Sequence, residues 1–352
     1  MVDGLAIEVK DLKAGYDGSI VVEADLKLDS GLVCFIGPNA SGKTTLARSI
    51  AGVLKPIGGV VLIDGMDLYS IDHRSRSRII SFLPTGTPRA PLMRVYDIVA
   101  MGRSPWRGLT LSRRDLDAIR RAMELTDIED LSDRFFNELS DGQRQRVLIS
   151  MALAREPRVL ILDEPTSFLD PVNRVRIFEL LKRISREILV VVATHDIDLV
   201  YRYCDRVYMV KAGRVVELDS WEGVGDLYGG GEYLYIPLVN SFERRLPEGP
   251  PRIHLFGGCG SAFLYVRRVR IDKPISVGPV FYGDIDSVVL RRLGAVVYTY
   301  DPGMDLGDLK DRLVGLESII AFRIPDRCIP SEVRVLIDEL GDRVVFMDLL
   351  AV

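Results

Sequence analysis

Leu32-Val33-Cys34-Phe35-Ile36-Gly37-Pro38-Asn39-Ala40-Ser41-Gly42-Lys43-Thr44-Thr45 is an apolar run that enters a glycine-bounded loop and closes on a lysine and two threonines. The run predicts a buried strand, and residues 44–53 behind the loop predict a helix. The loop matches G-x-x-x-x-G-K-[ST] in the strand–loop–helix setting that gives this pattern its meaning. Glycines let backbone N–H groups curl around phosphate oxygens, and the N-terminus of the next helix adds partial positive charge. Lys43 is placed to bridge the β- and γ-phosphates of a nucleotide, with the Thr44 hydroxyl on Mg2+. Gly37, Pro38, Asn39, Ala40, Ser41, Gly42 and Thr45 complete the expected cradle.

Outward from this loop, strand-like runs at 20–28, 60–63, 79–83, 159–162, 188–193 and 207–210 alternate with helical patterns at 111–125, 142–155 and 172–186. That alternation is the pattern of an α/β fold. Residues 86–156 carry two helical patterns without a strong strand signal, so they read as a helical insert. Gly229-Gly230-Gly231 and Pro247-Glu248-Gly249-Pro250-Pro251 mark a linker over 229–251. A second α/β alternation begins at 252, with strand-like runs at 253–256, 275–281, 295–299, 318–322 and 344–347. The expected domains are 1–228, which carries the phosphate loop, and 252–352, a small Rossmann-like α/β domain for which a regulatory role is one expectation.

Composition narrows the function classes. Among 352 residues, 47% are hydrophobic and the net charge is −4, which excludes a mainly disordered chain. Basic and acidic groups number 33 and 36 through Pro251, then 13 and 14 beyond it. Neither part has the basic excess of a duplex nucleic-acid binder. No apolar stretch approaches the ~20 residues of a membrane span, and no secretion signal is recognisable. The four cysteines fit neither a zinc motif nor a dense disulfide framework, so reduced, buried thiols in a cytosolic setting are expected. Two Gln and four Asn in the whole chain hint at a heat-loving source.

The run 159–162 ends in Asp163-Glu164, which sets two carboxylates at the sheet edge where ligands bind. Asp163 is expected to hold Mg2+ through water, and Glu164 to polarise the attacking water as general base. Leu139-Ser140-Asp141-Gly142-Gln143-Arg144-Gln145-Arg146 precedes this strand. Pro165-Thr166-Ser167-Phe168-Leu169-Asp170 and Thr194-His195-Asp196 follow it.

Together, and in this order, the segments resemble the ATP-binding cassette (ABC) ATPases over about residues 1–228. The resemblance implies a RecA-like core with an antiparallel β subdomain and a helical subdomain. It implies that Tyr16 stacks on adenine, although an ordinary strand-end aromatic reads the same way. Ser140, Asp141, Gly142 and Gln143 form the signature, in which Ser140 and Gly142 meet the γ-phosphate of ATP held by a second copy. Asp170 carries contacts across that dimer, and His195 senses the γ-phosphate beside Glu164. Two cassettes then sandwich two ATP head to tail.

Two positions depart from the family pattern. Asp141 replaces a glycine at a signature position that need not touch phosphate. At Leu83-Pro84-Thr85 the family places a glutamine that reaches Mg2+. Threonine is shorter, so metal contact by Thr85 requires loop movement or a water, and slow or partner-gated hydrolysis is expected.

Val95-Tyr96-Asp97-Ile98-Val99-Ala100-Met101-Gly102-Arg103-Ser104-Pro105-Trp106 resembles the segment of importer ATPases for iron–siderophore, haem and cobalamin uptake. The resemblance implies separate permease subunits, a substrate-binding protein acting through them, and a place on the cytoplasmic face of the membrane. Gly257-Gly258-Cys259-Gly260-Ser261 and Tyr282-Gly283-Asp284-Ile285-Asp286-Ser287 look like the extension on some archaeal cassette proteins. They could cradle an anionic or ribosyl effector, with Asp284 or Asp286 accepting hydroxyl hydrogen bonds. A tight turn with Asp capping the next helix reads equally well. The competing function class is a soluble ATP-driven switch not coupled to transport.

Overall fold

The computed structural model describes residues 6–86, 92–106 and 110–219, and beyond these 221, 224, 233–236, 241–246, 251, 253–256, 262, 274–280, 284, 286–293, 295–299, 306–313, 316, 318–322, 328 and 331–347. The chain divides into two units, Met1–Asp219 and Ser220–Val352.

In chain order the first unit runs β1 (Ile7–Tyr16), β2 (Ser19–Leu28), β3 (Leu32–Ile36), α1 (Lys43–Ile50), β4 (Gly58–Ile63), β5 (Met66–Asp67), α2 (His73–Ile79), β6 (Ile80–Leu83), α3 (Val95–Met101), α4 (Arg113–Leu125) and α5 (Asp141–Leu153). It continues through β7 (Val159–Asp163), α6 (Pro171–Ile184), β8 (Leu189–Thr194), α7 (Ile197–Tyr203), β9 (Arg206–Lys211) and β10 (Arg214–Glu217). The ten strands form one sheet in the order β5-β4-β1-β2-β10-β9-β3-β8-β7-β6. β9, β3, β8, β7 and β6 are mutually parallel, whereas β4, β1 and β2 are antiparallel.

Every residue of β3, β7 and β8 is buried, as expected of parallel strands covered on both faces. Leu46, Ala47 and Ile50 of α1 pack into the same core as Val33, Phe35, Ile161 and Val191. β1 carries no plain apolar alternation because a bulge separates Val9 from Leu12 and Asp11 takes φ 49°.

Among the described residues the helical insert holds three helices, α3, α4 and α5, where two helical patterns were expected; α3 has seven residues, too few for a clear helical period. Its C-cap, Gly102, is demanded by close approach: a Cβ there would lie 2.1 Å from the Met151 carbonyl oxygen of α5. Ser112 and Asp115 form a capping box at the start of α4.

The cysteine expectation is corrected. Cys34 of β3 and Cys204, which caps α7, are joined in a disulfide, and Cys328 is also disulfide-bonded. Packing brings the first pair to a Cα–Cα distance of 6.1 Å, within bridging range, across 170 residues of sequence that carry no local signal.

The second unit contains a hairpin of β11 (Tyr233–Ile236) and β12 (Ser241–Arg244). β13 (Ile253–Phe256), β14 (Ile275–Val280), β15 (Val296–Thr299), α8 (Leu306–Leu313), β16 (Ser318–Phe322), α9 (Ser331–Leu340) and β17 (Val344–Met347) follow. Its parallel sheet has the order β15-β14-β13-β16-β17, the doubly wound arrangement. Leu255 and Ile320 enter one core and Phe256, Ile319 and Ala321 the other, so alternate residues feed opposite faces. Ile236 and Leu246, inside the stretch expected as a linker, are buried in the first of these cores.

Candidate active site

Sheet register assembles the site. Ile36 pairs with Thr194, Asp163 with Ala193 and Leu83 with Leu162, so β3, β8, β7 and β6 release their chains side by side at one edge. Gly37, His195, Glu164 and Thr85 therefore start from neighbouring strand ends. This is the edge at which open α/β sheets bind ligands.

Gly42 caps α1 with φ 110°, a conformation that favours glycine. Lys43 is 6% exposed, and its Nζ donates to the carbonyls of Gly37 (2.8 Å) and Pro38 (2.9 Å) of its own loop. Burial pushes the Lys43 pKa down, while the carboxylates of Glu164 and Asp163 work against that shift. Ser41 Oγ is buried with no hydrogen-bond partner, an unspent polar group that a phosphate oxygen would satisfy.

Asp163 is 2% exposed and gathers two hydroxyls: Thr44 Oγ1 donates to Oδ1 (3.0 Å) and Thr85 Oγ1 to Oδ2 (2.8 Å). One carboxylate flanked by two threonine oxygens is a hard, oxygen-only donor set of the kind Mg2+ takes. Glu164 follows at φ 50°, which turns the chain as it leaves β7. Its Oε2 lies 2.8 Å from His195 Nδ1. Burial raises the Glu164 pKa above the ordinary glutamate range; His195 and Lys43 partly offset it. Behind His195, Asp196 accepts from Thr166 Oγ1 and pairs with Arg174, which holds the turn after β8.

Tyr16 ends β1, 42% exposed, and its hydroxyl accepts from Arg48 of α1 (3.2 Å). Ser140 and Gln143 form a capping box: Ser140 Oγ accepts from the Gln143 N–H and the Ser140 N–H donates to Gln143 Oε1. Asp141 pairs with Arg144. A Cβ on Gly142 would lie 2.6 Å from the Asn173 side chain, so the N-terminal turns of α5 and α6 abut. Asp170 caps α6 by accepting from the N–H groups of Val172 and Asn173, both at 3.0 Å.

The structure thus brings together the loop residues, Thr44, Thr85, Asp163, Glu164 and His195. Among the described residues, Ser140, Asp141, Gln143 and Asp170 make no hydrogen bond to that group.

Sequence reasoning missed a buried cluster in the insert. Arg103, 1% exposed, pairs with Asp115 (2.8 Å) and Glu156 (3.0 Å) and donates to the Ala154 carbonyl. Trp106 Nε1 donates to the Arg155 carbonyl, and the Arg78 guanidinium lies 4.2 Å from its ring centre. Gly-Arg and Trp therefore pin the insert to the turn between α5 and β7; the capping signature Ser112-x-x-Asp115 was the available signal.

In the second unit, residues 257–261 and 281–283 lie outside those described. Asp286 is fully buried and accepts from the Ala262 N–H, 24 residues away, while Asp284 Oδ1 accepts from the Asp286 N–H (2.8 Å) at the start of the helical turn that follows, the local bond of the capping alternative.

Residues 23–167 match the family model of the ABC transporter. The chain is 33% identical over 326 residues to the cobalamin import ATP-binding protein BtuD of Halobacterium salinarum, covering 87% of this chain and 80% of that protein. It is 34% identical to the probable siderophore transport system ATP-binding protein YusV of Bacillus subtilis, covering 60% and 78%. The dimeric structure of MJ0796, a bacterial ABC transporter cassette, superposes with a TM-score of 0.53 at 27% identity, over 61% of this chain and 99% of that one.

Proposed function

Since the chain belongs to the ABC transporter family of ATPases, we propose that it is the motor subunit of an importer for a metal chelate, iron–siderophore, haem or cobalamin. The observation that carries the ATPase half is the Glu164–His195 pair, set 2.8 Å apart beside the Lys43 loop at one sheet edge. Relatives named for cobalamin import and siderophore transport support the choice of cargo class.

In this reading the backbone amides of 37–45 and the freed Lys43 ammonium bind the phosphates, and Ser41 Oγ takes an oxygen it has no other use for. Thr44 and Asp163 would hold Mg2+, with Thr85 beside them, and the ion would supply positive charge to offset that of the phosphates. Glu164 orients and deprotonates water. His195 keeps the carboxylate aimed and reaches the γ-phosphate. Most of the catalysis is positioning and electrostatic complementarity. Tyr16 meets adenine.

Ser140, Gly142 and Asp170 serve the site of a second copy; the hydrogen bonds of Ser140 and Asp170 are local caps of α5 and α6, and none goes to this chain's own loop. A helix start of that kind suits a phosphate. The half-exposed Met101 and exposed Leu92 are among the apolar groups that the insert would offer to permease subunits at the cytoplasmic membrane face. Among the described residues no helix is long and apolar enough to cross a membrane itself. Residues 252–352, which hydrolysis does not use, are assigned to regulation.

Light scattering of the Glu164→Gln variant tests the reading: ATP with Mg2+ converts monomer to dimer, and ADP does not. A variant whose mass ignores ATP would refute the sandwich.

A further inference from the structure

Asp163 receives two hydroxyl hydrogens, and its two donors come from different parts of the fold. Thr44 lies in the first turn of α1, directly behind the phosphate loop, whereas Thr85 follows β6, the strand paired in register with β7. An ionised carboxylate only accepts, so each threonine spends its one hydrogen on Asp163 and keeps its lone pairs for other partners. The two donors use different oxygens, Oδ1 and Oδ2. Together they fix both the rotation and the tilt of the carboxylate plane.

We propose that Thr85 is a positioning residue: its hydroxyl locks the Asp163 carboxylate in the orientation that receives the hydrated metal, in place of a longer side chain reaching the metal itself. The inference rests on the assignment of Asp163 and Thr44 to the metal. A hydroxyl bond to a charged group on a side chain 2% exposed is strong enough to hold an orientation. Thr85 itself is exposed, so its bond to Asp163 ties the start of the helical insert to the metal carboxylate without burying the residue. Anything that draws the insert away from β6 then loosens the carboxylate and weakens the metal. The device couples insert position to metal affinity through one hydrogen bond.

The test is a Mn2+ titration, followed by electron paramagnetic resonance, of the full chain saturated with a non-hydrolysable ATP analogue. Thr85→Val, which keeps the shape and removes the hydroxyl, is expected to weaken Mn2+ about tenfold. Thr85→Ser, which restores the hydroxyl, is expected within about twofold of the wild type, and half-saturating Mg2+ for hydrolysis shifts in the same proportions. Metal-free nucleotide affinity and the unfolding midpoint of Thr85→Val report whether the fold has survived. Equal Mn2+ affinity in Thr85→Val and wild type overturns the proposal, as does a Thr85→Ser variant no better than Thr85→Val. A wild type that binds no Mn2+ alongside the analogue overturns instead the assignment of Asp163 and Thr44.

Discussion

The two units build the same kind of surface and treat their polar groups in opposite ways. Each has a parallel sheet covered on both faces, and in each a buried strand runs directly into a glycine-rich sequence, after Ile36 and after Phe256. At the edge of the first, Ser41 Oγ has no partner among the described residues, Lys43 donates to carbonyls of its own loop, and Glu164 is half-buried against its charge. These are bonds and deficits that a phosphate and a metal could take over.

Among the described residues of the second unit, the buried polar groups His254 and Asp286 are engaged within the fold. His254, fully buried in β13, faces Ser276 Oγ (2.8 Å) and the Gly278 carbonyl (2.7 Å) on the neighbouring strand. Asp286 is spent on the Ala262 N–H. Glycines after a strand permit a site, and unspent polar capacity at the same edge is what makes one.

The comparison can be broken first at the disulfide, where the largest effect on stability is expected. Closing a loop of 170 residues is worth about 5 kcal/mol in the chain-entropy model. Replacing Cys34 and Cys204 together by Ala should lower the unfolding free energy of the first unit by up to that amount in a denaturant titration. A change below about 1 kcal/mol would show that the loop is already restrained in the unfolded chain.

A smaller effect belongs to the second unit. Burial pushes the His254 pKa down from 6.5 to about 4. The folded state keeps this imidazole neutral while the unfolded chain protonates it below pH about 6.5. The stabilisation is therefore whole above that pH and is lost progressively toward pH 4, about 3 kcal/mol in all. Unfolding followed by second-unit probes across this range should show the loss, and His254→Asn should remove it. A wild type with flat pH dependence would place the imidazole in a wetter setting than the structure does.

The smallest and sharpest effect is kinetic. Glu164 must be ionised to act as base, and burial raises its pKa. The acid limb of kcat/KM should accordingly lie above the ordinary glutamate range. A limb at or below that range would mean the carboxylate is solvated, and the contrast between the two edges would weaken.

The residues that make the first edge were legible in sequence because their signals are local: an apolar run, a fixed glycine spacing, two carboxylates after a strand. β3, β7 and β8 were plain for the same reason, being buried on both faces. What escaped was set by packing between distant segments. β1 hides its period behind a bulge at Asp11, and Arg103 meets Glu156 across 53 residues. Thr85 finds Asp163 only through the pairing of β6 with β7. The Cys34–Cys204 bridge depends on α7 lying against β3, a contact no spacing announces.

The central claim is that the edge of the first unit hydrolyses ATP with Glu164 as its base, and single-turnover hydrolysis by Glu164→Gln tests it most directly. The expected rate is about a hundred- to ten-thousand-fold below the wild type, with ATP affinity retained. A variant that hydrolyses bound ATP within tenfold of the wild type would contradict it.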